Sequence, residues 1–116
     1  MPEDIRAHAR YIPHSAQKVR LVMDLVRGKD VQEALNVLKF TPNAAARPVS
    51  KVLASAMANA EENFGVSRDD LYVYQIYADE APTRKWRRFG ARGRFKPILR
   101  RSSHLTVILR EREELV

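Results

Sequence analysis

Nine cations stand between residues 84 and 101: Arg84, Lys85, Arg87, Arg88, Arg92, Arg94, Lys96, Arg100 and Arg101. No acidic residue lies among them, and Trp86, Phe89 and Phe95 are interleaved. Arginine and lysine neutralise phosphates, and aromatic rings stack on unpaired bases or wedge into RNA folds, so this spacing offers recognition of nucleic acid. Arginine outnumbers lysine seven to two in the run, which favours planar, multi-donor contacts over diffuse attraction. A solvated loop kept for solubility is the bland alternative. It fits less well, because so dense a run of one sign resists ordering without counter-charge. A membrane surface would prefer an amphipathic helix, and Gly90, Gly93 and Pro97 interrupt helical pattern here.

A second cluster comprises Ser15, Gln17, Lys18 and Arg20, with Arg10 and His14 just before it. Two readings stay open. A helix beginning at Ser15 would present free N–H groups and a positive dipole end to a phosphate held by Lys18 and Arg20, or it would be an ordinary helix start with a solvated polar face. Catalytic readings find less support. His8, His14 and His104 have no paired spacing and no cysteine partners, which argues against a metal site. Asp79 and Glu80 adjoin the basic run without any sign of a pocket, so they are expected to pair with its arginines rather than to act as an acid–base pair. The four glycines are dispersed and form no phosphate-cradling loop. The chain reads as a binding protein, not an enzyme, with no cofactor.

Length and composition bound the remainder. With 116 residues, one domain spanning 1–116 with a modest core is expected. The absence of cysteine excludes disulfides, thiolate metal sites and cysteine nucleophiles, and fits a reducing, cytoplasmic setting. No apolar run approaches the roughly 20 residues of a membrane span. The start Met1-Pro2-Glu3-Asp4 lacks the features of a signal peptide. The net charge of +7 points to a polyanionic partner, and it is concentrated: outside residues 84–101 there are 12 basic against 14 acidic residues, a net of −2.

The elements that must position these groups follow from periodicity. Ile5, Ala7, Ala9 and Tyr11 alternate with Arg6, His8 and Arg10, the period of a half-buried strand ending at Pro13. Ser15 caps a helix with Val19, Val22, Met23 and Val26 on one face, closed by Gly28. Asp30 with Glu33 matches a capping box, and Val31, Ala34, Leu35 and Leu38 mark a second helix ending near Phe40. A third helix runs to Gly65, with Ala45, Val49, Val52, Leu53, Ala56, Ala60 and Phe64 on one side and Pro48 kinking or restarting its first turns. Leu71 to Ala78 and His104 to Leu109 are two further strands. The expected fold is α+β: a small three-stranded antiparallel sheet packed against three helices, with a long β-hairpin arm. The body comprises 1–80 and 102–116 and the arm about 81–101, tipped at Phe89 to Gly93 and reaching up to about 40 Å at about 3.3 Å per residue.

Three separated stretches resemble a known family: Ser15 to Gly28 (Ser-Ala-Gln-Lys-Val-Arg-Leu-Val-Met-Asp-Leu-Val-Arg-Gly), Lys51 to Ala60, and Arg100 to Val107 (Arg-Arg-Ser-Ser-His-Leu-Thr-Val). In that order they are similar to the family of the twenty-second protein of the bacterial large ribosomal subunit, over about Ala7 to Leu109. The resemblance implies a body on the outer surface of the large subunit near the polypeptide exit, and a hairpin penetrating the ribosomal RNA. It also implies support of early subunit assembly and a share in the wall of the nascent-peptide tunnel. Carried across, Arg10, His14, Ser15, Gln17, Lys18, Arg20, Arg84, Lys85, Trp86, Arg87, Arg88, Arg92, Arg94, Lys96, Arg100, Arg101, Ser103 and His104 would contact RNA. Arg88, Phe89, Gly90, Ala91, Arg92, Gly93 and Arg94 would form the tunnel-facing tip. Partners would be large-subunit ribosomal RNA, neighbouring ribosomal proteins and the nascent chain, with neither a membrane nor a second copy. The chain departs from the family's usual pattern at Ala81-Pro82, Lys85-Trp86 and Phe89-Gly90-Ala91. Two rivals are a DNA-binding β-ribbon, which should be a dimer with a short regular ribbon, and a small RNA-cleaving enzyme, which should show convergent acid–base or metal groups.

Overall fold

The alternating run from Ile5 forms the first strand, β1 (Ile5–Ile12), in a computed structural model that describes the backbone of residues 4–82, 84–89 and 95–112 and the side chains of 4–82 and 101–112. Three helices follow, α1 (Ala16–Met23), α2 (Val31–Lys39) and α3 (Ala46–Asn63). A 3-10 turn at Arg68–Asp70 leads into β2 (Leu71–Glu80), β3 (Arg84–Phe89), β4 (Phe95–Arg100) and β5 (Ser103–Glu111). β1, β5 and β2 form an antiparallel sheet with β5 in the centre, and β3 and β4 form a separate two-stranded ribbon. The architecture is the expected α+β one.

One face of the sheet packs on the helices. Ile76, Leu105 and Leu109 meet Val19, Val22 and Leu53, all at most 2% exposed, and each such side chain contributes about 1.5–3 kcal/mol by leaving water. Ala56 and Ala60 are also buried, and their small size lets α3 lie close to β1 and β5.

Several local expectations are corrected. Pro48 neither kinks nor restarts α3: it sits in the first turn, where the N–H it lacks would have no helical partner. The turn into that helix is made by Asn43, whose Oδ1 accepts from Ala45 N at 3.1 Å. α1 ends at Met23, because the chain from Asp24 to Gly28 tightens into turns such as Leu25 N to Val22 O and Val26 N to Met23 O, both 3.1 Å. Gly28, at φ 81°, then aims the chain along β2, where Gly28 N donates to Val73 O at 3.1 Å and Val73 N to Lys29 O at 2.9 Å. Asp30 makes no side-chain cap on α2; its carboxylate accepts from Arg112 instead, and Glu33 pairs with Lys29. Phe64, expected inward, is 42% exposed beyond the end of α3.

Tyr11 is a further correction. It was expected on the buried face and is 62% exposed. Arg10 and Tyr11 together oppose the single residue His104, a β-bulge between the pairs Ala9–Leu105 and Ile12–Ser103. Tyr11 takes φ 56°, so it is rotated off the alternation that the preceding residues keep.

β2 is an edge strand, and its free side is covered. Arg20 Nε and Nη2 both donate to Ala78 O, at 3.1 and 2.8 Å, and Arg27 Nη2 donates to Ile76 O at 2.8 Å. Two arginines seven positions apart on one stretch of chain thus cap alternate outward carbonyls, which blunts an edge that would otherwise template pairing with another chain.

The two strands of the ribbon extend the line of the β2–β5 ladder. Ala81 N donates to Ser102 O at 3.0 Å, and pairing resumes from Arg84–Arg100 to Phe89–Phe95. The chain measures 71 × 25 × 19 Å, with a radius of gyration of 17.5 Å against about 13 Å for a compact domain of this length. The arm accounts for the difference. Of the expected tip, Arg88 to Arg94, only the backbone of Arg88 and Phe89 is among the described residues.

Candidate nucleic-acid interface

The register brings the end of β1, the end of β2 and the start of β5 together, because Ile12 and Glu80 both pair with Ser103. The base of the arm is therefore also the place where the chain turns through Pro13 and His14 into α1. Ser15 caps that helix, its Oγ accepting from Lys18 N at 3.4 Å. Ser103 is fully buried and donates its hydroxyl to His14 O at 3.0 Å, so it fastens the β1–α1 turn to the arm's returning strand. His104 accepts the Tyr11 N–H on Nδ1 at 3.1 Å and stands edge-on to the Tyr11 ring at 4.7 Å. With Nδ1 accepting, a neutral ring carries its proton on Nε2.

Of the predicted body residues, Arg10, Gln17 and Lys18 are exposed and His14 half-buried, and Arg101, at the end of the arm, is exposed. Among the described residues, Arg10, Lys18 and Arg101 make no ion pair with a carboxylate. Arg20 belongs to the same end but spends two donors on Ala78 O.

The carboxylate-paired cations are elsewhere. Asp4 accepts from Arg110 and is near Arg6; Arg112 pairs with Asp30, Lys29 with Glu33 at 3.5 Å, and Arg68 with Glu61 at 2.6 Å. These belong to the end of the sheet away from the arm, where Ile5 faces Leu109 and Leu71 faces Glu111. Arg27 pairs with Asp24 midway along α1's side of the sheet. The Arg110 hydrogen bond holds the Asp4 carboxyl below its ordinary range despite opposing desolvation, and Arg68 does the same for Glu61. Among the described residues the body is thus polarised, with ion pairs at one end and cations without a carboxylate partner at the base of the arm.

Along the arm the backbone register sets Arg84 opposite Arg100 and Arg88 opposite Lys96, with Trp86 opposite Ile98 and Phe89 opposite Phe95. Like charges directly opposed oppose pairing by a few tenths to about 1 kcal/mol each. The ribbon's own register supplies no counter-charge. Side chains of residues 84–100, and with them the expected pairing of Asp79 and Glu80 with arm arginines, lie outside the described residues.

Sequence reasoning missed Arg47 and Lys51. Both are exposed on the first turns of α3, beside the β1–α1 turn. Their four-residue spacing at the start of the third helix was the available signal, since i and i+4 share a helix face.

Among the described residues, no group of three His, Cys, Asp or Glu could hold a metal ion, and no helix is long and apolar enough to cross a membrane. The fold is a small α+β body carrying a two-stranded ribbon whose sequence is basic. A family profile described as ribosomal protein L22p/L17e matches residues 7–110. The chain is 51% identical over 110 residues to the large ribosomal subunit protein uL22 of Thermoanaerobacter sp. (strain X514), covering 95% of this chain and 99% of that protein. It is 49% identical over 112 residues to the protein of the same name from Desulfitobacterium hafniense (strain DSM 10664 / DCB-2), covering 97% and 98%. For that of Finegoldia magna the figures are 52% over 108 residues, 93% and 96%. The chain belongs to the ribosomal protein L22p/L17e family, a family of structural ribosomal proteins rather than of enzymes.

Proposed function

We propose that this protein is a non-catalytic constituent of the large subunit of the cytoplasmic ribosome, folded as one unit of body and arm, that binds large-subunit ribosomal RNA. The observation that carries this reading is the arm's register, Arg84 against Arg100 and Arg88 against Lys96. Such a ribbon orders stably when phosphates supply the missing negative charge. Arg10, Lys18 and Arg101 at its base, which pair with no carboxylate among the described residues, would continue the same RNA path, with His14, Ser15 and Gln17 beside them. The names carried by its relatives agree with this assignment. In this reading the arm threads between RNA helices and supports early subunit assembly, while the tip, Arg88 to Arg94, contributes to the wall of the nascent-peptide tunnel. Ser103, His104 and Arg20 serve that interface by fixing the arm's base.

The test is sedimentation of extract from the source cell at a salt concentration that keeps ribosomes intact. The protein is expected to co-migrate quantitatively with large subunits and to leave them only when the RNA is digested. Migration as free protein would contradict the proposal.

A further inference from the structure

A cleft of about 330 Å³ opens between the end of β1 and the start of α3, at the lower end of the roughly 300–1,000 Å³ of small-molecule sites. Ala9, Ile12, Pro13 and Pro48 supply apolar lining, and His14, Arg47 and Lys51 complete it. Resting on the RNA-binding reading above, we infer that this cleft is a socket for one unpaired nucleotide of the ribosomal RNA, its base between the β1 end and Pro48 and its flanking phosphates on Arg47 and Lys51.

Charge complementarity selects the occupant. Arg47 and Lys51 share one face of α3, and neither has a carboxylate partner among the described residues. A bare anion would satisfy the two cations and leave the apolar lining in water, whereas an apolar side chain would do the reverse. A nucleotide joins a flat face of low polarity to two adjacent phosphates, and fits both parts at once.

Position argues in the same direction. His14, at the cleft, has its carbonyl tied to Ser103 at the arm's base, so RNA that surrounds the arm passes this side of the body. Of the lining residues only His14 carries an aromatic ring, so the base would be held mainly by shape and van der Waals contact, with little preference among bases. The two proline rings and the Ile12 side chain, part of which packs on the core, require little ordering on binding. The cleft is thereby an RNA contact separate from the arm and from the start of α1.

The experiment measures retention of labelled large-subunit ribosomal RNA by the full chain over a range of salt, for wild type, Ala9→Leu, Arg47→Gln with Lys51→Gln, and a variant with Arg84, Arg87 and Arg88 changed to Gln. Ala9→Leu fills the cleft without changing charge and is expected to weaken binding about tenfold with an unchanged salt slope, the loss typical of one base contact. The Arg47/Lys51 double variant, altered only at exposed positions, should reduce the slope of log K against log salt by about 1.5, from two phosphates at roughly 0.7–0.9 each. Both melting temperatures should match wild type. A double variant with wild-type affinity and slope would overturn the inference, whatever the behaviour of Ala9→Leu. If that variant instead lost a neighbouring ribosomal protein from reconstituted particles, the cleft would be a protein contact and the inference wrong. The arm variant keeps the two claims apart: its loss of RNA, with the cleft variants unaffected, would uphold the broader function while removing this site.

Discussion

Replacing Arg20 and Arg27 together by methionine strips the caps from two outward carbonyls of β2 while keeping most of the aliphatic stems. The wild-type contacts are the paired 3.1 and 2.8 Å bonds from Arg20 to Ala78 O and the 2.8 Å bond from Arg27 to Ile76 O. Hydrogen bonds from charged donors contribute about 1.5–3 kcal/mol when the acceptor is left without a partner. At this exposed edge water can replace the guanidinium, so about 1 kcal/mol per carbonyl is the appropriate figure, roughly 2 kcal/mol for the pair. For a domain near this size each kcal/mol corresponds to about 5 °C, giving a fall of about 10 °C in melting temperature by circular dichroism or calorimetry. The uncapped edge should also shorten the time to aggregation at a fixed temperature below the transition, since free strand edges template intermolecular pairing. A fall of less than 2 °C would show that the two arginines are not the edge's caps and would refute the reasoning. RNA retention separates this role from a phosphate-binding one: the variant is expected to bind RNA with a salt slope lower by at most about 1, because Arg27 lies away from the arm's base and Arg20 already spends two donors.

Leu53→Ala, at a fully buried position on α3, should cost about 3 kcal/mol by lost burial and cavity formation, read from the urea midpoint at an unchanged slope. Deleting Trp86 to Phe95 should leave a body with cooperative melting, because the core lies in the helices and the β1–β5–β2 sheet; a non-cooperative melt would contradict the division into body and arm. Asp4 and Glu61 have folded pKa values below their ordinary 3.8 and 4.5, so the unfolded chain binds protons first as pH falls. The stability they supply is fully present above pH 4.5 and is lost as pH drops through these values into the depressed folded range. Asp4→Asn with Glu61→Gln should therefore flatten the dependence of the urea midpoint on pH below 4.5 and leave that slope unaltered above pH 6. Changing Arg84, Arg87 and Arg88 to Gln should lower the salt slope of RNA binding by about 2–3, at roughly 0.7–0.9 per phosphate.

Much of this molecule was legible from periodicity and charge. Alternation identified β1, the apolar i, i+3, i+4 spacing identified the helices, and the single-sign run from Arg84 to Arg101 marked the arm. What escaped was set by contacts distant in sequence. Tyr11 leaves the strand alternation because His104, 93 residues away, accepts its N–H. Asp30 looked like a cap and is drawn to Arg112, beyond the arm. Arg20 was expected at an RNA-facing helix start, and the edge carbonyl that it also caps belongs to β2, 58 residues on. The i, i+4 spacing of Arg47 and Lys51 put them on one helix face, but only the packing of α3 beside the β1–α1 turn places them at a cleft. Local rules could locate the elements; they could not say which polar groups the fold would commit to one another.

Whether ribosomal RNA encloses the arm is decided by a cryo-EM map of the large subunit from the source cell. The expected map has the body on the subunit with β3 and β4 enclosed by ribosomal RNA, and phosphate density beside Arg84, Arg88, Lys96 and Arg100. A map showing the body in place but the arm in solvent, or phosphates absent from those positions, would contradict it.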